Sequence, residues 1–412
     1  MLNATVDSAS PNCRSQRLEL ADVFRQHGHL LDALSPAQAR VLNDIVACRT
    51  AQLGGHVRKC DDCGHVEHAY NSCRNRHCPK CQSLKKVEWL ERRMDDLLPV
   101  PYFHVVFTLS DVLNPLILRN QRVMYNILFR AASETLREVA ANPVHLGAQI
   151  GFIAVLHTWS QTLLDHPHLH CVVPGGGLSA DGGKWIACRK GFFLPVRILS
   201  VVFRGKFLDY TQQAFQKGEL VFPGQIQPLS DPAEFQKLLK SSCKSKWVVY
   251  AKRPFAGPKQ VLEYLGRYTH RVALSNNRLV EMKDDHVSFT WKNYRDGGGR
   301  QVMTLQTTEF MRRFLLHVLP KGFVRIRHYG FLGNPVHKEK LERCRKLMGL
   351  TPEQQSRSSA RLSETWQQMM ERLTGTDPAC CPSCKKGRLI DCGTLLPCKP
   401  TIRFFARQGR SP

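Results

Sequence analysis

Three histidines stand at alternate positions in a short stretch that runs from His166 to Pro174. In an extended strand, alternate side chains point to the same face, so His168 and His170 are expected to present two imidazoles side by side. Neutral imidazoles on a stiff backbone are common ligands of divalent metals. The stretch therefore predicts a metal site, and the alternative is a half-buried strand that is merely rich in histidine.

A third imidazole is expected from the preceding strand. Residues 151–157 and 168–173 have the apolar and β-branched character of strands, and the polar connection between them favours an antiparallel hairpin. This hairpin would bring His157 next to His168 and His170. The three would form a metal site with open positions for water and substrate. The alternative is that His157 is an ordinary core or surface histidine.

Two tyrosines lie four residues apart on a helix that Pro258 is expected to open. Positions i and i+4 share one helix face, so Tyr264 and Tyr268 would project together, with Arg267 a turn away. A phenol with a pKa of about 10 is a poor nucleophile until it is activated. Taken alone, the pair could equally be two aromatic anchors of a core.

The two motifs together predict a specific reaction. A divalent ion held by His168 and His170 can polarise a phosphodiester. Attack by a tyrosine would give a 5′-phosphotyrosine and a free 3′-hydroxyl. The phosphotyrosine bond would keep the energy of the phosphodiester bond, so the strands could be rejoined without ATP. Arg267 would assist on the tyrosine side, and the second tyrosine could carry a second strand. Such chemistry needs single-stranded or extruded DNA, which basic and aromatic residues can hold.

Ten of the sixteen cysteines lie in two clusters, five at residues 60–81 and five at residues 380–398. In a reducing compartment such clusters indicate metal rather than disulfides. Two Cys-x-x-Cys knuckles predict one tetrahedral structural zinc site, with Cys73 as a further donor; the knuckle ligands are Cys60, Cys63, Cys78 and Cys81. A different Cys and His set, or a second ion, stays open. The tail predicts a second, less regular zinc site of Cys381, Cys384, Cys392 and Cys398.

Lysine and arginine number 59 against 34 acidic residues, a formal charge of +25. This surplus favours a nucleic-acid partner, and the alternatives are a generic basic surface or an acidic membrane. The residues expected to contact DNA are Arg74, Arg76, Lys85, Lys86 and Arg271. The sequence has no signal peptide pattern and no apolar run of membrane-spanning length, so a cytoplasmic, nucleoid-associated protein is expected.

Several motifs in the same order resemble the HUH (His-hydrophobic-His) two-tyrosine transposases of the rolling-circle insertion-sequence family, over roughly residues 50–335. They are His168-Leu169-His170, Tyr264-x-x-x-Tyr268, the zinc-binding segment Cys73 to Cys81, and the stretch from Phe310 to Arg327. Phe107-Thr108-Leu109 is also similar to the first strand motif of rolling-circle initiators. The Cys-rich tail has no counterpart in this resemblance.

The resemblance implies an α+β fold, in which an antiparallel RRM-like nuclease sheet with flanking helices carries the metal. It implies Mg²⁺ or Mn²⁺, together with nicking and joining of single-stranded DNA at element ends. The expected division is a helical segment (1–50), a zinc-binding domain (51–99), the transposase domain (100–345), and a linker with the Cys-rich tail (346–412).

Three other functions stay open at this stage. A rolling-circle replication initiator or relaxase would use the same chemistry. A zinc-containing DNA-binding protein without enzymatic activity would need only the basic and zinc-binding parts. A histidine-triad nucleotide hydrolase would explain His166-x-His168-x-His170 but neither the tyrosine pair nor the charge.

Overall fold

The structure is a computed structural model that describes residues 17–81, 89, 96–245, 247–252, 266, 273–293, 297–350, 365–400 and 402–406. The α-helices of these ranges are α1 (Leu20–His27), α2 (Pro36–Ala47), α3 (Asn114–Arg119), α4 (Gln121–Ala141), α5 (Val196–Gln216), α6 (Pro232–Lys244), α7 (Thr307–Leu316), α8 (His337–Leu347) and α9 (Trp366–Thr374). Among the helices so described, none is long and apolar enough to cross a membrane.

The strands form antiparallel sheets, so the expected mixed α and β composition is confirmed. The strands are β1 (Gly55–Cys60), β2 (Val66–Tyr70), β3 (Tyr102–Thr108), β4 (Phe152–Trp159), β5 (Asp165–Pro174), β6 (Gly176–Leu178), β7 (Trp185–Ala187), β8 (Val248–Lys252), β9 (Leu279–Lys283), β10 (His286–Asn293), β11 (Gly299–Gln306), β12 (Ile326–Tyr329) and β13 (Leu389–Leu395).

The central sheet has five strands in the order β12-β4-β5-β3-β8 and is the largest sheet of the described residues. One face of this sheet is covered by α4 and α5, which form the main hydrophobic core with it. Phe107 of β3 contacts Phe203 of α5 edge to face, with ring centroids 4.9 Å apart. Alternate residues of β3 and β5 supply this core, and the residues between them point to the opposite face.

The hairpin expected from residues 151–157 and 168–173 is confirmed. Strands β4 and β5 pair antiparallel, and His157 lies directly opposite His168. The amphipathic pattern of residues 115–141 predicts one long helix, but the chain breaks at Asn120 (φ −121°, ψ 36°) into α3 and α4. Asn120 donates to the backbone oxygen of Val221 and accepts from the backbone N–H of the same residue.

A second core joins the N-terminal helices to the sheet β9-β10-β11 and to α7. The sequence Ser35-Pro36-Ala37-Gln38 predicts a capping box at the start of α2. The structure confirms it: Ser35 Oγ accepts from the backbone N–H of Gln38, and Gln38 Oε1 accepts from that of Ser35. Phe24 of α1 meets Phe314 of α7 edge to face at 5.5 Å. Cys78 and Cys81 are part of this core.

A third sheet has the order β13-β1-β2, so the last strand of the chain pairs with one of the first. The register runs from Gly55 opposite Leu395 to Cys60 opposite Leu389. Strand β13 of the C-terminal tail therefore lies against the segment that carries β1 and β2 (residues 55–81, the N-terminal module).

Candidate metal centres and DNA-processing site

Three histidines lie together on the face of the central sheet opposite to α4 and α5. His157 of β4 and His168 and His170 of β5 each offer one ring nitrogen, and these nitrogens all lie within 4.8 Å of one another. The ring centroids of His157 and His170 are 4.5 Å apart, and those of His168 and His170 are 4.7 Å apart. Three convergent imidazoles of this kind fit a divalent transition metal.

Hydrogen bonds orient two of the rings through their Nδ1 atoms. His168 Nδ1 donates to the backbone oxygen of His166 at 2.6 Å, and His170 Nδ1 lies 2.8 Å from Nε2 of His104. Metal-bound histidines usually donate their second ring N–H to such an acceptor, which sets the tautomer. Both histidines can therefore present Nε2 to an ion, with His104 accepting from His170.

His104 was missed in the sequence because its strand position alone does not mark it. It is 2% exposed and stacks on the His170 ring at 5.0 Å. Burial, with a smaller contribution from the Lys252 charge, lowers the pKa of His104 to about 4. The side chain is therefore neutral at pH 7, and its Nε2 can accept a hydrogen bond.

His157 is supported from behind by aromatic side chains. Its ring stacks on Trp159 with centroids 4.7 Å apart, and Trp159 meets His317 edge to face. His317 donates from Nε2 to the backbone oxygen of Leu163 at 2.9 Å, and burial lowers its pKa to about 4. This contact ties the histidine group to the end of α7.

The face that carries the histidines extends toward the edge strand β8. Val106 of β3 is directly opposite His170 on one side and Tyr250 on the other. Neighbouring strands are about 4.8 Å apart, so Tyr250 lies about 10 Å from His170 across the sheet. Its side chain is 50% exposed. An accessible aromatic ring therefore lies beside the candidate metal centre.

Asp165 begins β5 on the opposite face of the sheet from His168 and His170. Neither of its carboxylate oxygens has a hydrogen-bond partner among the residues that the structure describes. Burial raises the pKa of Asp165 to about 7. The same region holds Tyr125, whose pKa is raised by burial and by the Asp165 charge.

The remaining residues of the predicted reaction lie outside the described residues. They are the candidate catalytic residues Tyr264, Tyr268 and Arg267, and the expected DNA contacts Lys85, Lys86 and Arg271. Their roles remain predictions from the sequence.

Among the described residues, eight cysteines form two groups of four, and the members of each group differ from the two sets expected from the sequence. One consists of Cys48, Cys73, Cys78 and Cys81, with sulfur pairs at 3.3 and 3.5 Å. Cys60 and Cys63 lie in the other group, because β1 and β2 carry them to the far end of a hairpin. Cys48, at the end of α2, was missed in the sequence. It could have been found because Cys48 and Cys73 are single cysteines, outside any Cys-x-x-Cys motif, on either side of the β1–β2 hairpin.

The second group joins Cys60 and Cys63 to Cys381 and Cys384 of the tail. The tail set expected from the sequence also included Cys392 and Cys398. Both are exposed and are not members of this group. The second set is therefore corrected to two cysteines from each end of the chain.

Arg76, expected to contact DNA, is engaged inside the protein. Its guanidinium donates from Nη1 to the backbone oxygen of Phe323 at 2.6 Å and from Nη2 to that of Pro320 at 3.4 Å. Burial lowers its pKa. Arg76 thus attaches the N-terminal module to the segment after α7, whereas Arg74 is exposed.

Two family models match parts of this chain. Residues 151–340 match the family model described as "Putative transposase", and residues 18–109 match "Transposase zinc-binding domain". The chain is 54% identical over 376 residues to "Putative transposase y4qJ" of Sinorhizobium fredii (strain NBRC 101917 / NGR234), covering 90% of this chain and 94% of that one.

It is 28% identical over 313 residues to "Transposase for insertion sequence element IS801" of Pseudomonas savastanoi pv. phaseolicola, covering 75% of this chain and 74% of that one. No solved structure matches the chain. A zinc-binding module beside a mixed α and β domain, with these matches, defines a transposase, a class of enzyme that binds, cleaves and joins DNA. The chain belongs to the IS91 and IS801 family of transposases, whose elements move by a rolling-circle route.

Proposed function

We propose that this transposase nicks and rejoins single-stranded DNA at the ends of its insertion sequence, by tyrosine attack at a metal centre of His157, His168 and His170. The observation that carries the proposal is the convergence of three imidazoles on one sheet face of a transposase. The fold that this proposal assumes is the RRM-like sheet of the HUH nucleases. Its support is the five-stranded antiparallel sheet that bears the histidines.

The three imidazole ligands favour Mn²⁺ over Mg²⁺ as the bound metal. Imidazole nitrogens suit Mn²⁺ better than Mg²⁺, which prefers oxygen ligands and water. We therefore expect Mn²⁺ to support the reaction at lower concentration than Mg²⁺. When bound, the ion would neutralise charge on the scissile phosphate. His168, the most exposed of the three ligands, lies on the side from which a phosphate could approach.

The nucleophile is assigned to Tyr264 or Tyr268. The phenolic oxygen forms a bond to phosphorus while the bond to the 3′-oxygen breaks, so the phenol loses a proton and the leaving 3′-oxygen gains one. The product is a 5′-phosphotyrosine and a free 3′-hydroxyl. Reversal with a different 3′-hydroxyl joins strands. The second tyrosine allows a second strand to be held at the same time.

Single-stranded DNA is the favoured substrate because an accessible aromatic ring lies near the metal centre. Tyr250 is half exposed on the sheet face of the histidines, about 10 Å from His170. Bases of a single strand can stack on such a ring, whereas paired bases in a duplex cannot. The formal charge of +25 would hold the backbone.

The test is formation of a covalent adduct with a single-stranded oligonucleotide from the element's own end, in Mn²⁺ or Mg²⁺. Replacing both Tyr264 and Tyr268 by Phe should abolish the adduct on denaturing gels. His168→Ala should also abolish it but leave DNA binding, since basic contacts supply most of the affinity. The matched control is His166→Ala, which removes a neighbouring imidazole outside the group of three.

Each result has a clear meaning. An adduct with the double Phe variant would show that the nucleophile is another residue, as in a histidine-triad hydrolase. Equal losses in His166→Ala and His168→Ala would refute the ligand assignment. An adduct on any origin-like sequence, without preference for element ends, would favour a replication initiator or relaxase. No adduct with the unchanged chain would favour a DNA-binding protein without catalysis.

A further inference from the structure

The Cys381-x-x-Cys384 knuckle of the tail closely resembles the Cys60-x-x-Cys63 knuckle at the end of the β1–β2 hairpin. In each, a backbone N–H four residues after the first cysteine donates to that cysteine's oxygen: Gly64 to Cys60 at 3.2 Å, and Lys385 to Cys381 at 2.9 Å. Both donors have positive φ, +70° at Gly64 and +58° at Lys385. Two turns of the same construction, from opposite ends of the chain, therefore face each other.

The four sulfurs have the spacing of a tetrahedral zinc site. Cys60 Sγ lies 3.7 Å from Cys384 Sγ, and Cys63 Sγ lies 3.7 Å from Cys381 Sγ. Four sulfurs each about 2.3 Å from one ion lie about 3.8 Å apart in a tetrahedron. The distances are far too long for disulfides, and all four cysteines are free.

Backbone groups are arranged to stabilise thiolates at this site. The backbone N–H of Cys63 points to Cys60 Sγ at 3.5 Å, and that of Gly387 points to Cys384 Sγ at 3.3 Å. A Cβ on Gly387 would come within 2.5 Å of Cys60 Sγ. Position 387 therefore has no room for a side chain, which is consistent with a tightly closed site.

The small sheet β13-β1-β2 has almost no hydrophobic core of its own. Its buried cluster consists of Cys60, Cys381 and Leu389, with Cys384 beside them. Most residues of β13 are exposed. Units of this size with so little apolar burial usually need a metal or disulfides to fold. The sulfurs themselves occupy the place of a core.

We infer that Cys60, Cys63, Cys381 and Cys384 bind a second structural zinc ion that clamps the C-terminal tail to the N-terminal module. The first zinc ion occupies Cys48, Cys73, Cys78 and Cys81. A second contact supports the same docking: Asn43 of α2 exchanges two hydrogen bonds with the backbone of Phe404, at 2.8 and 2.9 Å. The matched family ranges end at residue 340, so they assign no role to this tail.

Zinc counting by native mass spectrometry on the full chain tests the inference. The unchanged protein should carry two zinc ions. The paired changes Cys60→Ser with Cys63→Ser, and Cys381→Ser with Cys384→Ser, should each leave one. The variant with all four changes should also leave one, because both pairs serve the same ion. Cys392→Ser with Cys398→Ser is the matched control and should keep two.

The variant with all four changes distinguishes the inferred ligand sets from those expected from the sequence. If the knuckles 60–63 and 78–81 shared one ion and the tail bound its own, the four changes would remove both ions. That result, or two ions retained after the tail changes alone, would overturn the inference. Should a variant misfold, alkylation of the unchanged protein decides: Cys381 and Cys384 must become reactive together with Cys60 and Cys63 when a chelator removes one zinc. Independent exposure of the two pairs would refute a shared site.

Discussion

Replacing His104 by Phe should weaken metal binding at the histidine group without removing a ligand. Phe keeps an aromatic ring of similar size against His170 but cannot accept a hydrogen bond. His104 Nε2 lies 2.8 Å from His170 Nδ1, and both side chains are buried. In the variant, the Nδ1–H of a metal-bound His170 would have lost this acceptor.

The expected magnitude follows from that lost bond. Leaving a buried donor without its partner costs about 1–3 kcal/mol. Loss of the partner that orients a metal-bound histidine typically weakens metal affinity about 10- to 100-fold, equivalent to about 1.4–2.8 kcal/mol. The two ranges agree. His104→Gln, whose side-chain oxygen can accept from Nδ1–H, should recover part of the affinity.

The affinity is measured by adding Mn²⁺ to protein whose cysteine sites hold zinc. The electron paramagnetic resonance signal reports the concentration of free Mn²⁺. His166→Phe is the control, because it keeps both the backbone oxygen that accepts from His168 Nδ1 and an aromatic ring against His168. Binding of Mn²⁺ by His104→Phe within two-fold of the unchanged protein would refute the role of His104. A loss of equal size in His166→Phe would point to a general disturbance of β5.

Two further predictions concern the rest of this sheet. Burial raises the pKa of Asp165 from 3.8 to about 7, so the carboxyl group stays protonated to a higher pH in the folded state than in the unfolded state. The free energy of unfolding therefore falls as the pH rises between these two values. Asp165→Asn should therefore raise the free energy of unfolding at pH 8 by up to about 4 kcal/mol, and by little at pH 4, in urea denaturation; an unchanged pH dependence would contradict this. Tyr250→Ala should weaken binding of a single-stranded oligonucleotide roughly 5- to 150-fold in fluorescence anisotropy, whereas Tyr250→Phe and the exposed-site control Phe192→Ala should not; equal losses on duplex DNA would exclude base stacking.

The histidine group could be predicted because its determinants are local. Alternation along one strand places His168 and His170 on the same face, and a short hairpin brings His157 opposite His168. His104 could not be found this way. It lies on β3, which is separated in the chain from its partner strand β5 by α3, α4 and β4. Nothing in the intervening sequence indicates which residue of β3 lies opposite which residue of β5. Arg76 shows the same limit, because its carbonyl partners lie more than 240 residues away.

The cysteines show which part of a metal site is local and which is not. A Cys-x-x-Cys knuckle is a turn that a few residues specify, so each knuckle was found, but the choice of partner depends on where strands carry it. Strand β1 runs six residues from Gly55 to Cys60, so its far end lies about 17 Å from its start. Cys48 and Cys73 lie in the chain just outside the base of this hairpin, next to the knuckle of Cys78, whereas Cys60 and Cys63 lie at its tip.

A knuckle at such a tip cannot share an ion with one at the base. It must take its other two ligands from elsewhere, and the third Cys-x-x-Cys of the sequence, in the tail, can provide them. The base knuckle is then completed by Cys48 and Cys73, the two single cysteines that flank the hairpin. A structural zinc ion takes four ligands, so this assignment uses every member of both groups. It also makes the position of the tail a consequence of the length of β1.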